Sequence, residues 1–233
     1  MIKAVVFDFD DTLVKTTDFV NKHLIRVIER YPKKQQLKTD ERKIWEEKIR
    51  KLTDKNIGFT EIFDTLFDKE EAENFLADYR KDAQEYNYEP IEGALEFVED
   101  FKKRNAKLYI LSNRTNILPF RATQAGFNPY DFEIYSAPEG HSKPDPISYS
   151  PILEQIENEG LKNEEVLFIG NHIDDYKGLP DEWRKRFRAI PDNKDQKTDF
   201  IQADFPQKYL FDNYSELRET INSEFNNEIN NIN

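Results

Sequence analysis

Apolar residues fall along this chain in two rhythms. One is a short continuous run. Residues 3–8 hold Ala4-Val-Val-Phe7, and similar runs occur at Lys107-Leu-Tyr-Ile-Leu-Ser112 and Val166-Leu-Phe-Ile-Gly170. Phe132-Glu-Ile-Tyr-Ser136 and Phe187-Arg-Ala-Ile190 are weaker examples. Such runs, partly β-branched and bounded by polar residues, predict buried strands of a parallel sheet covered on both faces. The other rhythm has helical spacing. Ala94, Phe97, Val98 and Phe101 form one stripe, and Ile147, Ile152, Leu153 and Ile156 form another within residues 146–158. Strand–helix alternation of this kind predicts a Rossmann-like α/β domain with a doubly wound parallel sheet.

Residues 15–88 interrupt the alternation with helical patterns only. Val20, Leu24 and Val27 share a face between Asp18 and Glu29, and Thr39 is placed to cap a charged helix through Leu52. Phe59, Ile62, Phe63 and Leu66 make a third stripe. Asp68 and Glu71 resemble a capping box ahead of Ala72, Phe75, Leu76 and Tyr79. The predicted organisation is therefore a core of residues 1–14 and 89–225 with an all-helical insertion at 15–88. Hinges are expected near 15–17 and 88–90. The Asn-rich stretch 226–233 is expected to be a disordered tail.

Composition narrows the function. The 233 residues suffice for one sizeable core and a small second unit. With 18 Phe and 11 Tyr the chain is rich enough in aromatics to fold. A net charge of -12 disfavours binding to nucleic acid or an anionic membrane, since both need a positive field. It leaves room for a small anionic substrate where a cation or local lysines invert the potential. The absence of cysteine excludes disulfides, thiolate metal sites and a cysteine nucleophile. Three histidines, His23, His141 and His172, are too few for a multi-histidine centre. No run reaches the length of a membrane span, and the N-terminal apolar run is too short for a signal peptide, so a cytoplasmic location is expected. The oligomeric state has no signature in the sequence.

Four polar clusters follow predicted strands, on the sheet edge where open α/β folds bind ligands. In Asp8-Phe-Asp-Asp-Thr12, two carboxylates two residues apart can serve one site, one as nucleophile and one as proton carrier. Ser112-Asn113-Arg114 offers a hydroxyl and an amide to phosphoryl oxygens. Lys143, in His141-Ser-Lys-Pro-Asp-Pro146, can neutralise a phosphate or screen a nucleophile. Asp174 and Asp175, in Gly170-Asn-His-Ile-Asp-Asp175, can complete an all-oxygen site for a hard cation. Each cluster alone also reads as a helix cap or a solvated loop.

Together and in this order, the clusters resemble the four signature motifs of the haloacid dehalogenase superfamily. Phe7-Asp-Phe-Asp-Asp-Thr-Leu13 resembles the first, Leu111-Ser-Asn113 the second, Lys143-Pro-Asp-Pro146 the third and Gly170–Asp175 the fourth. The helical insertion lies where that family carries a helical cap. The resemblance implies a phosphatase in which Asp8 attacks phosphorus and Asp10 protonates the leaving group and then activates water. It implies phosphoryl binding by Thr12, Ser112, Asn113 and Lys143. It also implies Mg²⁺ held by Asp8, the Asp10 carbonyl and Asp175, with Asn171 and Asp174 nearby. Lys15, Arg114 and His172 are the candidate specificity residues for a small phosphorylated metabolite. The basic insert residues Arg42, Lys43, Lys48, Arg50 and Lys51 read as a solvated face.

Asn171 departs from the pattern, since the fourth motif usually has aspartate there. Its carbonyl can coordinate, but it brings no charge. A phosphotransferase or phosphomutase would share this site. A binding or regulatory relative with impaired catalysis is the non-enzymatic alternative. A metal-free dehalogenase has no need of the acid/base at Asp10.

Overall fold

A computed structural model describes residues 1–17, 19, 23, 26, 73–75, 77–79, 81, 87–113 and 118–230, with side chains through Glu224. Most of the predicted insert helices, the five basic insert residues and Arg114 lie outside the described residues. The chain divides into two compact units, Met1–Lys15 with Glu89–Asn233, and Thr16–Tyr88.

The larger unit is built on five strands: β1 (Ala4–Phe7), β2 (Lys107–Ser112), β3 (Glu133–Ser136), β4 (Val166–Gly170) and β5 (Phe187–Ala189). All pair in parallel, in the order β3-β2-β1-β4-β5. The chain builds outward from β1 through β2 to β3, then crosses to β4 and β5 on the other side. The order thus reverses at β1, and its carboxyl end opens onto the crevice expected at such a switch point.

The helices of this unit are α1 (Ala94–Lys103), α2 (Leu118–Gln124), α3 (Ser150–Asn158), α4 (Ile173–Lys177), α5 (Asp181–Arg184), α6 (Lys194–Gln202) and α7 (Tyr214–Asn230). Side-chain alternation along the strands divides the core between two faces. On one face Ala4, Val6, Tyr109, Leu111, Val166 and Phe168 pack with Ile152 and Ile156 of α3 and Phe200 of α6. On the other, Phe7 meets Phe97 of α1 edge-on at 6.2 Å between ring centroids, and Phe97 lies 5.0 Å from Tyr214 of α7. Both Phe97 and Phe101, read from the helical stripe at 94–101, are buried. Each such side chain taken fully from water contributes roughly 1.5–3 kcal/mol.

Two expectations need adjustment. The stretch predicted as one helix over 146–158 begins as a 3-10 turn, Pro146–Tyr149, before α3 starts at Ser150. Asp145 accepts the Ile147 N–H through Oδ1 and Pro146 opens the turn, so local capping decides the tighter winding. At the C-terminus α7 runs to Asn230, so residues 226–230, expected in a disordered tail, are helical. Tyr214, Leu217 and Ile221 are buried, and Phe225 and Ile229 continue their spacing in the sequence. Among the described residues no helix is long and apolar enough to cross a membrane.

Candidate active site

The strand β1 ends by donating the Asp8 N–H to the Ile169 carbonyl at 2.8 Å, which fixes the Asp8 backbone beside β4. The chain then turns at once. The Phe9 carbonyl faces the N–H groups of Thr12, Leu13 and Val14, and Asp11 takes a left-handed φ of 57°, which aspartate tolerates better than most residues. The Tyr214 hydroxyl, reaching in from α7, donates to the Thr12 carbonyl at 3.1 Å. The Phe9 carbonyl and the Tyr214 hydroxyl thereby hold the turn that carries Asp10 and Thr12 at the end of β1.

Lys143 is the hub of the site. Its Nζ lies 2.5 Å from Asp8 Oδ1, 2.6 Å from Asp175 Oδ1 and 3.2 Å from the Leu111 carbonyl. An ammonium has three donors, and three acceptors are present. The side chains of Lys143, Asp8 and Asp175 are only 7%, 12% and 6% exposed, so these are interior ion pairs. The lysine backbone is anchored in turn, its N–H donating to Asn113 Oδ1 at 3.2 Å. Asn113, read as a phosphate ligand, holds the lysine loop in this structure.

The remaining oxygens are also organised. Asp175 Oδ2 accepts the His172 N–H at 3.1 Å, and the Tyr149 hydroxyl donates to the Asp175 carbonyl at 2.6 Å. The Thr12 hydroxyl stands 3.1 Å from both Asp8 Oδ2 and Asn171 Oδ1 and can donate to one of them at a time. Asp10 points another way and accepts from Arg121 Nη1 at 3.0 Å through Oδ1. Asp174 pairs with His172 side chain to side chain, its Oδ2 3.4 Å from Nδ1. Ser112 is buried at the end of β2. Lys15 faces Glu89 at 3.6 Å. The structure thus brings Asp8, Thr12, Lys143, Asn171 and Asp175 into one cluster and leaves Asp174 and Lys15 with other partners.

Gly170 makes the close approach of Asp175 possible. A Cβ there would lie 2.6 Å from Asp175 Oδ2 and 2.8 Å from its Cγ. Gly170→Ala is therefore expected to push the carboxylate off Lys143 and to lower stability by about 1–3 kcal/mol, the scale of interior overpacking. Thermal melts of the two proteins check this.

Electrostatics follow from burial. Burial is the largest influence on the Asp8 carboxyl; Lys143 opposes it, Asp175 and Asp10 reinforce it, and the group is pushed up to about 7. For Lys143, burial disfavours the charge, but Asp175 and Asp8 outweigh it and hold the ammonium well above its ordinary pKa. Hydrogen bonding to Asp174 raises His172, and the same bond holds Asp174 below the usual carboxylate range.

The buried cluster carries two carboxylates and one ammonium, an excess of negative charge. Its candidate ligands are all oxygen: Asp8, Asp175, the Thr12 hydroxyl and the Asn171 amide carbonyl. Among the described residues no three acidic or imidazole side chains form a ready metal cage. Mg²⁺ does not need one, because it keeps several waters and binds through one or two carboxylates and substrate phosphate. The residues present therefore fit a hard divalent cation.

Four groups escaped the sequence reading: Arg121, Tyr149, Tyr214 and the Leu111 carbonyl. Arg121 had a legible signal, a charge on the buried stripe that Leu118, Ala122 and Ala125 continue at helical spacing. The others are set by tertiary approach alone.

A family model for haloacid dehalogenase-like hydrolases matches residues 2–181. No curated protein matches the chain in sequence. Solved structures with the same fold include a subfamily IA hydrolase of the haloacid dehalogenase superfamily from Geobacter sulfurreducens. It is 22% identical, with a TM-score of 0.63 over 94% of this chain and 96% of that one. A β-phosphoglucomutase from Clostridium difficile is 16% identical, with a TM-score of 0.56 over 98% and 99% of the two chains. A predicted phosphoglycolate phosphatase from Haemophilus somnus is 14% identical, with a TM-score of 0.59 over 94% and 98%. At these identities the structures speak for the fold. The family match extends from before Asp8 to beyond Asp175 and so spans all the clustered residues, and on it the chain belongs to the haloacid dehalogenase-like hydrolases.

Proposed function

We propose that this protein is a Mg²⁺-dependent phosphomonoester hydrolase that works through an aspartyl-phosphate on Asp8. One observation carries the reading: a buried carboxylate at the end of the central strand, bridged by one lysine to a second carboxylate and short of positive charge. Such a site suits a dianionic phosphoryl group only if a further cation completes it. Asp8, the Asp10 carbonyl, Asn171 and Asp175 are the groups to hold it. When bound, Mg²⁺ supplies the charge neutralisation that lets carboxylate and phosphate approach.

The residues divide the chemistry. An Asp8 carboxylate oxygen forms a bond to phosphorus while the bond from phosphorus to the ester oxygen breaks. The electron pair goes to the leaving oxygen, which takes a proton from Asp10. In the second step water attacks phosphorus, Asp10 takes the water proton, and the bond to Asp8 breaks to restore the carboxylate and release inorganic phosphate. Lys143 and Ser112 hold the phosphoryl oxygens, and Thr12 and Asn113 keep the turn and the lysine loop in register. Residues 16–88 would act as the cap, which selects a small phosphorylated metabolite and excludes bulk water. His172, partly exposed beside the cluster, would contact the substrate.

A phosphomutase is the second reading, supported by the likeness to the Clostridium difficile enzyme. It would use the same two steps but return the phosphoryl group to a sugar hydroxyl instead of water. Hydrolysis of p-nitrophenyl phosphate with and without Mg²⁺ tests the main reading: metal-dependent phosphate release is expected, and none with any divalent metal would count against it. Sugar-phosphate isomerisation faster than phosphate release would favour the mutase.

Asn171 gives a separate prediction. Asn171→Asp adds a carboxylate to the cluster, so the half-saturating Mg²⁺ concentration for activity should fall, by roughly 10-fold. Without metal the added charge should destabilise the fold at neutral pH. Mg²⁺ titrations of activity and of Tm check the two signs.

A further inference from the structure

The hydrolase reading gives Asp10 a task but does not explain what holds its side chain. We propose that Arg121 is the positioning residue for Asp10, fixing one carboxylate oxygen so that the proton the enzyme transfers can reside only on the other. The inference rests on the function proposed above.

Asp10 Oδ1 receives Arg121 Nη1 at 3.0 Å. The Arg121 side chain is 9% exposed, against 28% for Asp10, so the clamp comes from the protein interior and the carboxylate faces outward. Asp10 Oδ2 has no hydrogen-bond partner among the described residues. The backbone of Asp10 is fixed independently, through its bridge to Val14 and the turn around the Phe9 carbonyl. Without a partner, the side chain would still rotate about two bonds.

A guanidinium has donors and no acceptor. The oxygen it faces cannot carry a proton pointed at it. A carboxyl so held presents its proton, or its vacant lone pair, on Oδ2 in both halves of the reaction. The same atom then serves the leaving oxygen first and the water afterwards. Proton transfer demands this placement within hydrogen-bond reach of the reacting oxygen. Arg121 is supplied by α2, directly after the strand that bears Ser112, so the clamp is built from the same sheet edge as the phosphoryl site.

The test uses leaving-group dependence. A dinitrophenolate leaves without a proton, whereas an alkoxide needs one. The full-length wild type, Arg121→Met and Arg121→Lys are assayed with Mg²⁺ on 2,4-dinitrophenyl phosphate and on a simple alkyl phosphate. General acid–base catalysis is worth 10²–10⁴-fold, so Arg121→Met should lose at least about 10-fold in kcat on the alkyl ester. Its loss of kcat in forming the phosphoenzyme from the dinitrophenyl ester, read by a rapid-quench burst, should be within about twofold. Arg121→Lys should recover part of the alkyl-ester rate. In an Asp10→Asn background, adding Arg121→Met should cost nothing further.

Equal losses in the rate of phosphoenzyme formation from the two esters, or additive losses in the double variant, would overturn the proposal and leave Arg121 a packing residue. If Arg121→Met does not fold, the Arg121→Lys rates of phosphoenzyme formation from the two esters decide: a loss confined to the alkyl ester supports the proposal, and an equal loss overturns it. Wild-type turnover of the same esters separately tests the hydrolase reading, so the two failures can be told apart.

Discussion

Asp8→Asn is expected to abolish turnover and yet to stabilise the metal-free protein above neutral pH. The first effect follows from chemistry. An amide cannot form the acyl phosphate, and loss of a covalent nucleophile removes at least about 10⁴-fold in kcat. The second follows from the sign of the Asp8 shift. Its carboxyl is raised from 3.8 to about 7 in the folded protein, chiefly by burial. The folded state therefore holds this proton more tightly than the unfolded state. Stability from this group is full below the unfolded value, falls as pH rises between about 4 and about 7, and stays low above that. Asparagine carries no such charge. Lys143 keeps Asp175 and the Leu111 carbonyl as partners in the variant. Thermal melts should show Asp8→Asn gaining over wild type at about pH 8 by on the order of 1 kcal/mol, with the gain clearly smaller near pH 5 and gone below about pH 4. Mg²⁺ should raise the wild-type Tm at the higher pH and narrow the gap. A variant destabilised equally at both values would contradict this picture of the site.

Lys143→Met should be the most damaging change to the fold. It removes the one ammonium that separates Asp8 from Asp175 and satisfies the Leu111 carbonyl. Two buried carboxylates are left facing each other. Breaking a buried pair by removing one partner typically costs about 3–5 kcal/mol, because the remaining charge stays desolvated. Acidification should relieve part of the loss by protonating Asp8, and Mg²⁺ should relieve part of it by standing near the same oxygens. Activity should fall by at least about 10²–10³-fold even where the protein is folded, since a charge aimed at the phosphoryl oxygens is gone. Arginine is no substitute. Its planar guanidinium cannot place one nitrogen on three acceptors in the space of an ammonium. Denaturation curves with and without Mg²⁺, at two pH values, check the stability half, and steady-state rates check the other.

The sheet was legible because its strands are buried on both faces. Val5, Val6, Leu167 and Phe168 form apolar runs that only a covered parallel strand explains, and all are buried in the structure. The helix at 94–101 was legible for the complementary reason, its stripe at 94, 97, 98 and 101. α6 and α7 were less so, because their buried anchors, such as Phe200, Tyr214 and Leu217, are sparse among charged neighbours. The site was legible where chemistry is local in sequence: the carboxylates after β1, the lysine between prolines, the acidic turn after β4. Its wiring was not. That Lys143 bridges Asp8 to Asp175, that Asn113 anchors the lysine loop and that Asp174 turns to His172 depend on approach between segments far apart in the chain. Arg121 shows the boundary. Its place on an apolar stripe marks it as unusual, but only the fold reveals Asp10 as its partner.

The claim that Asp8 is a cation-assisted nucleophile toward phosphorus can be tested without knowing the substrate. Beryllofluoride added with Mg²⁺ mimics a phosphoryl group on a competent aspartate, and ¹⁹F NMR reads the bound species directly. Wild type should show protein-bound fluorine resonances that need Mg²⁺ and disappear in Asp8→Asn. Bound resonances that persist in Asp8→Asn, or none in wild type at saturating Mg²⁺, would contradict the account.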